Sequence, residues 1–404
     1  MTRRSVAMIV HAYYDEDPRV RREAETLVTA GWEVDVFGLR RDGDPPDGML
    51  RGVRVHRLDV QRHQGAPLGV YLWEYLDFFV RAAAAAVRAH RARRFALVQV
   101  HSIPDFLVFA ALPLKLVGVP VVLDLHEAMP EFFRSRFPGA ANGITRWLLE
   151  VQEVLSLRFA NAVVTVNDAL RERFRGRGVP DSRITVVANS PSADLFDPGA
   201  HPHRDFMEDG ALRLIYAGAL TPNYELDVVL EALALIVADR SSLAVHLDLY
   251  GRGDSEPALR EQAAALGVAG RVTFHGRIPL EDVAAAIARS DVGLAPTRRN
   301  AQTNLSLPTK ILEYAAMGKP VVSSDLTTVG RTFEPDTLAL YRGGDARDLA
   351  DAVFQLVDDP AQAARRVERS AARVAELSWE RQAAAYLALI ERLTESDPTG
   401  DGRS

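Results

Sequence analysis

The chain has 404 residues, of which 48% are hydrophobic and 25% are charged, so it is long enough for two globular domains with complete cores. Its net charge of −6 excludes a general attraction to nucleic acid, and the absence of cysteine excludes disulfides, thiolate chemistry and cysteine-based zinc sites. The apolar run at residues 5–10 is too short for a signal peptide. No run reaches the about 18 apolar residues of a membrane span. We therefore expect a cytoplasmic protein, in which any membrane contact is peripheral and at the inner face of the membrane.

Short apolar runs alternate with helical stretches along the whole chain, which is typical of parallel βαβ units. A first series of strands is predicted at residues 6–10, 34–37, 53–57, 97–100, 119–123, 162–166 and 184–187. A second series is predicted at residues 212–217, 244–250, 272–274, 292–295, 321–323 and 338–341. Each series predicts one doubly wound α/β domain, the first at residues 1–190 and the second at residues 211–377.

The segments that connect and follow the two domains have a different composition. Residues 191–210 are rich in Pro, Asp, Gly and His and lack periodicity, which is typical of a linker. A last helix is predicted at residues 379–393, and we expect it to pack back on the first domain. The tail at residues 395–404 is predicted to be disordered. Because ligands of doubly wound sheets bind beyond the carboxyl ends of the strands, we expect a binding cleft between the domains.

Residues 306–322, SLPTKILEYAAMGKPVV, have the most informative spacing and contain two of the three lysines of the chain. Pro308 suits the first turn of a helix, which we predict at residues 309–317. A loop that enters a helix offers free N–H groups and partial positive charge to a phosphate, and Lys310 adds a point charge there. Glu313, one turn later, can accept hydrogen bonds from two ribose hydroxyls. The alternative is a solvated lysine and a glutamate that stabilises the helix start.

Eight pieces of the chain stand out together by their order and spacing. They are DEDPRVRREAETLVTAGWEVDVF, VLDLHEAMPE, NSPSADLF, IYAGAL, YGRGDSEPALREQAAALGV, RVTFHGRIPLEDV, PTKILEYAAMGKPVV and SWERQAAAYLALI. In this arrangement they resemble glycosyltransferase family 4, and the resemblance covers nearly the whole chain. It implies the GT-B fold, with two Rossmann-like domains of which the N-terminal one binds the acceptor and the C-terminal one binds the nucleotide sugar.

The resemblance also implies a reaction. It is the transfer of a hexose from a nucleotide diphosphate sugar to a glycan, a lipid-linked acceptor or a small molecule, with retention of the anomeric configuration. A UDP-sugar is the preferred donor, and neither a metal, another cofactor nor a nucleic-acid partner is implied. Two D-x-D patterns, at residues 15–17 and 42–44, would instead indicate a divalent metal, but a helix cap before Pro18 and a polar turn explain them better.

The same resemblance assigns roles to residues of both predicted domains. The positions predicted to bind the nucleotide sugar, among which Arg252 and Arg298 are proposed for their charge and not implied by the resemblance, are Gly218, Arg252, Arg277, Ile278, Arg298, Asn304, Ser306, Leu307, Thr309, Lys310 and Glu313. The positions implied to be catalytic are His126, Glu127 and Lys310, and those implied to bind the acceptor are Tyr13, Tyr14 and Arg19. The competing interpretations are a rim histidine paired with a backbone carbonyl for His126 and a tight turn for Gly218.

The chain departs from the family pattern at two places. Leu305 stands eight positions before Glu313, where many members have an acid that touches the donor sugar. Asn223 and Tyr224 stand where an arginine or lysine usually meets the diphosphate. Three arginines are candidates to supply the missing charge: Arg252, Arg298 and Arg299. Because of these departures, a silent relative that acts as a binding or scaffold partner in glycan assembly stays open as an alternative. A nucleotide-sugar epimerase, which keeps the fold but not the transfer, is a further alternative.

A further segment, EFFRSRF at residues 131–137, interleaves aromatic residues with arginines. It is predicted either to hold a lipid-linked acceptor at a bilayer surface or to act as a lid over the site. Both predictions place this segment at the surface of the first domain.

Overall fold

The computed structural model describes residues 4–63, 67–137, 139, 142–202 and 204–395. The chain divides into two compact units: unit 1 comprises Met1–Ala188 and Glu380–Ser404, and unit 2 comprises Asn189–Trp379. Each unit has its own β-sheet. Apart from Glu395, the predicted tail lies outside the described residues.

The described part of unit 1 contains one eight-stranded sheet. Its strands are β1 (Ser5–Ile9), β2 (Glu33–Leu39), β3 (Asp47–Leu50), β4 (Val53–Leu58), β5 (Leu97–His101), β6 (Val121–Leu125), β7 (Ala162–Thr165) and β8 (Ile184–Val186). Their spatial order is β3-β4-β2-β1-β5-β6-β7-β8, and every neighbouring pair is parallel except β3 with β4. Strands β1, β5 and β6 are buried at every position, as expected for apolar runs at the centre of a parallel sheet.

Strand β3 was not predicted from the sequence because DGML contains no apolar run. It pairs with β4 through a two-residue turn, in which Arg51 and Gly52 have φ values of 49° and 82°. Positive φ at both central residues is the signature of a type I′ hairpin turn. A turn conformation, and not hydrophobicity, therefore adds this edge strand.

The described part of unit 1 contains six α-helices before its boundary at Ala188. They are α1 (Pro18–Thr29), α2 (Leu68–Arg93), α3 (Leu112–Lys115), α4 (Met129–Arg136), α5 (Gly143–Phe159) and α6 (Asp168–Gly176). Asp17 caps α1, because its Oδ1 accepts the N–H groups of Arg19 at 3.1 Å and Val20 at 3.0 Å. Asp15 pairs with Arg41 at 2.7 Å. The first D-x-D pattern thus provides a helix cap and a surface ion pair.

The described part of unit 2 contains a six-stranded, all-parallel sheet. Its strands are β9 (Ala211–Ala217), β10 (Ala244–Tyr250), β11 (Val272–Gly276), β12 (Val292–Ala295), β13 (Val321–Ser324) and β14 (Ala339–Tyr341). Their order is β11-β10-β9-β12-β13-β14, so the winding direction reverses between β9 and β12. In doubly wound sheets ligands bind beyond the carboxyl ends of the strands at this reversal.

The helices of unit 2 follow its strands. They are α7 (Leu226–Asp239), α8 (Glu256–Ala265), α9 (Leu280–Ala288), α10 (Thr309–Ala316), α11 (Thr327–Thr332), α12 (Ala346–Asp358) and α13 (Pro360–Glu376). The predicted helix at 309–317 corresponds to α10, which ends one residue earlier.

The segment predicted as a linker at 191–210 is packed against unit 2. Phe196 is buried in an apolar core of that unit. The buried Asp291 carboxylate accepts the N–H of Met207 at 3.0 Å and lies 3.3 Å from Arg204 Nε. The prediction of a linker is therefore corrected, and this segment is part of unit 2. The physical reason is that the buried Asp291 carboxylate needs hydrogen-bond partners, which the segment supplies.

The last helix, α14 (Trp379–Glu395), joins unit 1 from Glu380 onward. Its buried residues include Tyr386, whose Oη donates to Gln99 Oε1 at 2.6 Å. Gln382 Oε1 accepts the N–H of Ala188 at 2.9 Å. Among the helices within the described ranges, none combines the length and the apolar character needed to cross a membrane.

Candidate active site

The carboxyl ends of the neighbouring strands β5 and β6 bring three polar side chains together in unit 1. Strand β5 ends at His101, Asp124 belongs to β6, and His126 follows β6. Asp124 Oδ2 lies 2.9 Å from His126 Nε2 and 3.1 Å from His101 Nδ1. Asp124 and His101 are fully buried, whereas part of His126 is exposed. His126 is therefore the member of this cluster that a ligand can reach, and Glu127, half-buried, follows it in the chain.

A guanidinium group holds the Asp124 carboxylate at two points. Arg19, in the first turn of α1, donates from Nε to Oδ2 at 3.1 Å and from Nη2 to Oδ1 at 2.9 Å. Its Nη1 donates to the Val187 carbonyl at 2.9 Å. Because Arg19 is 5% exposed and bonded to interior groups, we correct the acceptor-binding role predicted for it: Arg19 positions Asp124.

The two tyrosines predicted to bind the acceptor have different environments. Tyr14 is buried, its Oη has no hydrogen-bond partner in the described part of the chain, and burial raises the pKa of its phenol. The prediction for Tyr14 is corrected as well, because a side chain inside the unit cannot contact an acceptor. Tyr13 is half-buried, and its ring centroid lies 4.3 Å from the guanidinium carbon of Arg41. The Tyr13 side chain thus stays partly exposed to solvent.

The charges around Asp124 determine which groups of the cluster are ionised. Burial by itself raises the pKa of Asp124, but Arg19 and the two histidines hold that pKa well below its usual range. Burial lowers the pKa of His101, which favours its neutral form. The ligand atoms of His101, Asp124 and His126 lie within 4.8 Å of one another, close enough to surround a metal ion. Arg19 already binds both carboxylate oxygens, however, and its positive charge opposes a cation there.

Two glycine-containing loops run side by side beyond β9 and β10 in unit 2. The N–H of Leu220 donates to the Arg252 carbonyl at 3.0 Å. A Cβ atom on Gly251 would lie 1.8 Å from the Gly218 oxygen, and one on Gly253 would lie 2.1 Å from the Leu220 oxygen. Approaches this close require glycine. Backbone atoms therefore line this edge of the sheet, where a ligand phosphate can come close to the chain.

The Lys310 side chain extends to the same edge. A Cβ on Gly218 would lie 3.3 Å from Lys310 Cε, and Lys310 Nζ lies 4.0 Å and 5.1 Å from the ring centroids of Tyr224 and Tyr216. Lys310 is buried, and no carboxylate in the described ranges forms an ion pair with it. Burial lowers the pKa of Lys310 to about 8, although Glu313 acts in the opposite direction. A buried ammonium group with aromatic neighbours and no counter-ion favours the binding of an anion.

Helix α10 begins directly before Lys310, and its first N–H groups are free of side-chain caps from the described residues. These N–H groups and the helix dipole give this end a partial positive charge. Thr309 is exposed at the first position of the helix. Glu313 is half-buried one turn later; burial raises its pKa, while Lys310 and the Thr309 hydroxyl lower it.

The loop before α10 offers one further polar group. Asn304 lies in a short 3-10 helix, Thr303–Leu305, and its buried Oδ1 has no hydrogen-bond partner among the described residues. The Ser306 hydroxyl donates to the Gln302 carbonyl at 3.3 Å. The Leu307 side chain packs against an apolar core of unit 2, so this residue has only backbone groups to offer. Asn304 is thus the side chain of this loop with a free acceptor atom.

Two of the candidate arginines are already neutralised. Arg298 Nη2 donates to both oxygens of Asp227 at 2.8 Å, and its Nε donates to the Pro222 carbonyl at 3.1 Å. Arg299 pairs with Asp325 Oδ1 at 2.9 Å. The charge of Arg298 is thus compensated within unit 2, which favours Arg252 over Arg298 for the donor-binding role predicted for both.

Arg252 and Arg277, by contrast, are exposed beyond β10 and β11. Across the described ranges, neither side chain forms an ion pair or hydrogen bond. A Cβ on Gly276 would lie 3.8 Å from Arg252 Nε, so Arg252 passes close to the end of β11. Ile278, next to Arg277, packs partly against the apolar core of unit 2. His275 is structural, since its ring stacks on Tyr250 at 4.1 Å and its Nε2 lies 2.6 Å from Asp248 Oδ1.

Sequence reasoning missed the partners of the predicted residues. The D-x-H spacing of Asp124 and His126 was a usable signal, since residues two apart lie on the same face of a strand. No local signal connects Asp124 to Arg19, which is 105 positions away. Tyr224 was noted only as a departure from the family pattern, although its ring contacts the Lys310 ammonium group.

Both units of the chain match known protein families. Residues 17–190 match the family model of the glycosyl transferase 4-like domain, and residues 211–359 match that of glycosyl transferases group 1. The D-inositol 3-phosphate glycosyltransferase of Stackebrandtia nassauensis is 31% identical over 382 residues, covering 90% of this chain and 83% of that protein.

Two solved structures share the fold. Sucrose-phosphate synthase from Thermosynechococcus elongatus superposes with a TM-score of 0.79 at 21% identity, over 98% of this chain and all of that one. Anabaena HepE in complex with UDP and glucose superposes with a TM-score of 0.70 at 16% identity, over 96% of this chain and 99% of that one. Since the two family models span both units and the 31% identity extends over most of both proteins, this chain belongs to glycosyltransferase family 4 and is a GT-B enzyme that uses a nucleotide-sugar donor.

Proposed function

We propose that this chain transfers a hexose from a UDP-hexose to a glycan, a lipid-linked acceptor or a small molecule, with retention of the anomeric configuration. The observation that carries the proposal is Lys310, which is buried beside two tyrosine rings without a counter-ion in the described part of the chain. A buried charge without a counter-ion is costly in free energy. The diphosphate of the donor would supply the missing negative charge.

The chemistry of the leaving group supports the same placement. When the bond between the sugar and the diphosphate breaks, negative charge develops on the diphosphate. Lys310, the free N–H groups of α10 and the unpaired Arg252 offer positive charge at that edge of unit 2. In a water-poor site each such interaction contributes about 3 kcal/mol to transition-state stabilisation. These groups supply positive charge to the leaving group from the protein itself, so the proposal includes no metal.

The nucleoside has candidate partners close by. Glu313, one turn beyond Lys310, accepts the ribose hydroxyls in this proposal, and Arg277 and Ile278 flank the base. HepE, which shares the fold, was solved in complex with UDP and glucose, and this supports uridine as the nucleoside of the donor.

We assign to His126 the contact with hydroxyls of the transferred sugar. Asp124 engages its Nε2, which leaves Nδ1 to exchange a hydrogen bond with the substrate. Asn304 offers a second acceptor for the sugar, where the acid common in the family is replaced by Leu305. Retention rests on the family resemblance, in which the departing phosphate takes the acceptor proton on the same face of the sugar.

The test begins with isothermal titration of UDP, GDP and dTDP. We expect UDP to bind most tightly and Lys310→Ala to reduce its affinity at least about tenfold, a loss of about 1.4 kcal/mol. Lys319→Ala, the other lysine of the same segment, is the matched control. Proton NMR of the first turnover product then reports the anomer. Tighter binding of GDP or dTDP would overturn the choice of nucleotide, and an inverted product would overturn retention.

A further inference from the structure

Exposed apolar side chains are concentrated on two helices of unit 1. On α2 they are Leu72, Trp73, Leu76 and Val80, and Trp73 is 74% exposed. Helical steps of three, four and seven residues place them on one face. The opposite face, with Phe78 and Ala82, is buried in the unit.

Helix α5 repeats this arrangement. Its exposed apolar residues are Ile144, Trp147, Leu148 and Leu155, and Trp147 is 61% exposed. They recur at helical spacing and lie opposite the buried Ser156 and Leu157. Both helices thus place apolar stripes in solvent, where a soluble surface helix ordinarily carries polar residues.

The two helices pack against the same connecting segment, residues 105–115. Phe79 of α2 lies 6.1 Å from Phe106, and Phe159 of α5 lies 5.0 Å from Phe109, measured between ring centroids. Lys115 Nζ lies 4.5 Å from the Phe159 ring centroid. Both helices therefore pack against one segment of unit 1, and we call their exposed apolar residues together the apolar surface.

In the described structure, the charged side chains of these two helices that form no ion pair are all positive. The four acids of the two helices all have basic partners in unit 1: Glu74 lies against His11 and His63, and Asp77, Glu150 and Glu153 pair with arginines. Arg88, Arg91 and Arg158 are exposed and form no ion pair within the described ranges. Arg91 lies 18 residues after Trp73, which is about five helical turns, so both residues lie on the same side of α2.

We propose that the apolar surface docks on a lipid bilayer that contains anionic phospholipid. Exposed tryptophans favour the boundary between acyl chains and headgroups, and unpaired arginines on the same helices attract anionic headgroups. A second copy of this chain fits the surface less well, because the acids of both helices are already paired and a copy of the surface offers no unpaired acid to the unpaired arginines. Two aromatic residues of 131–137 do not serve this purpose, because Phe133 is buried and the ring of Phe137 packs against it with the centroids 5.1 Å apart.

This inference goes beyond sugar transfer, because α2 and α5 contain none of the residues assigned to the donor. The test is sedimentation of the full chain with vesicles of equal parts phosphatidylglycerol and phosphatidylcholine, compared with vesicles of phosphatidylcholine alone. We expect stronger binding to the anionic vesicles by at least about tenfold, and weakening by added salt.

A matched pair of variants tests the location. Leu72→Ser with Leu148→Ser removes two leucines of the apolar surface, and Leu266→Ser with Leu340→Ser removes two exposed leucines of unit 2. We expect only the first pair to lower vesicle binding, by at least about tenfold. Both pairs should retain UDP affinity, which separates this inference from the proposed function.

A second measurement does not depend on the variants. Brominated lipid should quench the fluorescence of the wild-type chain through Trp73 and Trp147, and Trp73→Phe with Trp147→Phe should remove this quenching. The proposal is overturned by equal binding to both kinds of vesicle, by unchanged binding of the Leu72 and Leu148 variant, or by absent quenching. It is also overturned if the chain forms dimers that this variant dissociates while vesicles do not bind.

Discussion

Arg19 and Asp124 form a two-point ion pair in the interior of unit 1, with N–O distances of 3.1 Å and 2.9 Å. The same carboxylate accepts hydrogen bonds from His126 and His101. The first turn of α1 thereby determines the orientation of a histidine that follows β6. This relationship makes Arg19 a positioning residue with no need to touch a substrate.

Arg19→Met should lower the free energy of unfolding by about 3–5 kcal/mol, because it leaves the Asp124 charge buried without its cation. Urea denaturation measures this change. Arg21→Met, in the same helix, removes a partly exposed pair with Glu25 and an exposed hydrogen bond to the Asp15 carbonyl, and should cost about 1 kcal/mol or less. Similar values for the two variants would show that the buried pair does not need its arginine.

Asp124→Asn should lower turnover at least about tenfold and leave UDP affinity unchanged, because it disturbs His126 and not the residues around Lys310. Steady-state kinetics and titration of UDP measure the two effects. The ring nitrogens of His126 should also shift in a nitrogen-15 NMR spectrum, since Asp124 no longer accepts from Nε2 as an anion. Unchanged turnover would show that Asp124 is not needed to position His126.

Glu23→Gln should stabilise the protein at neutral pH. Glu23 is buried, and burial together with Asp124 raises its pKa well above the usual range. The folded state therefore holds a proton that the unfolded chain loses above about pH 4.3, so this carboxyl lowers stability as the pH rises toward its folded pKa. The amide still accepts from Gln99, which donates to Glu23 Oε2 at 2.6 Å.

The measurement for Glu23→Gln is thermal unfolding from about pH 4 to about pH 8. The gain over wild type should grow as the pH rises. Glu25→Gln, two positions later on α1 and partly exposed, is the control and should show no such gain. A variant that is less stable than wild type at every pH would contradict the raised pKa of Glu23.

UDP affinity should fall as the pH rises through about 8, the pKa to which burial lowers Lys310. Below that pKa the ammonium group is charged and binds the diphosphate; above it, each pH unit should weaken its contribution by up to about tenfold. Bound diphosphate raises the pKa of Lys310, so protons are taken up on binding near pH 8. Calorimetry in buffers of different ionisation enthalpy measures this uptake, and Lys310→Met should abolish it.

Of the three arginine candidates, only Arg252 should matter for the donor. Arg252→Ala should weaken UDP binding about tenfold, because its guanidinium is unpaired within the described ranges. Arg298→Ala and Arg299→Ala should change UDP affinity less than about twofold, since Asp227 and Asp325 already neutralise these charges. Equal losses in all three variants would mean that the ion pairs open when the donor binds.

Local sequence patterns were sufficient to predict much of the fold of this protein. Continuous apolar runs predicted the strands at the centre of both sheets, because a strand covered on two faces has no polar positions to spare. The fold class predicted from the family resemblance is confirmed by the two parallel sheets and the GT-B neighbours. Strand β3 was missed because a turn conformation, and not an apolar run, creates it.

The sequence by itself determined the family, the two-domain α/β architecture and the motif of Lys310 and Glu313 on α10, since all of these depend on spacing within short segments. Tertiary structure alone decided which charges are free. Arg19 and Arg298 looked like ligand-binding residues, yet Asp124 and Asp227 neutralise them, while Arg252 keeps its charge unpaired within the described part of the chain. Ion pairing depends on distances between residues far apart in the chain, and those distances are set only when the sheets and helices pack.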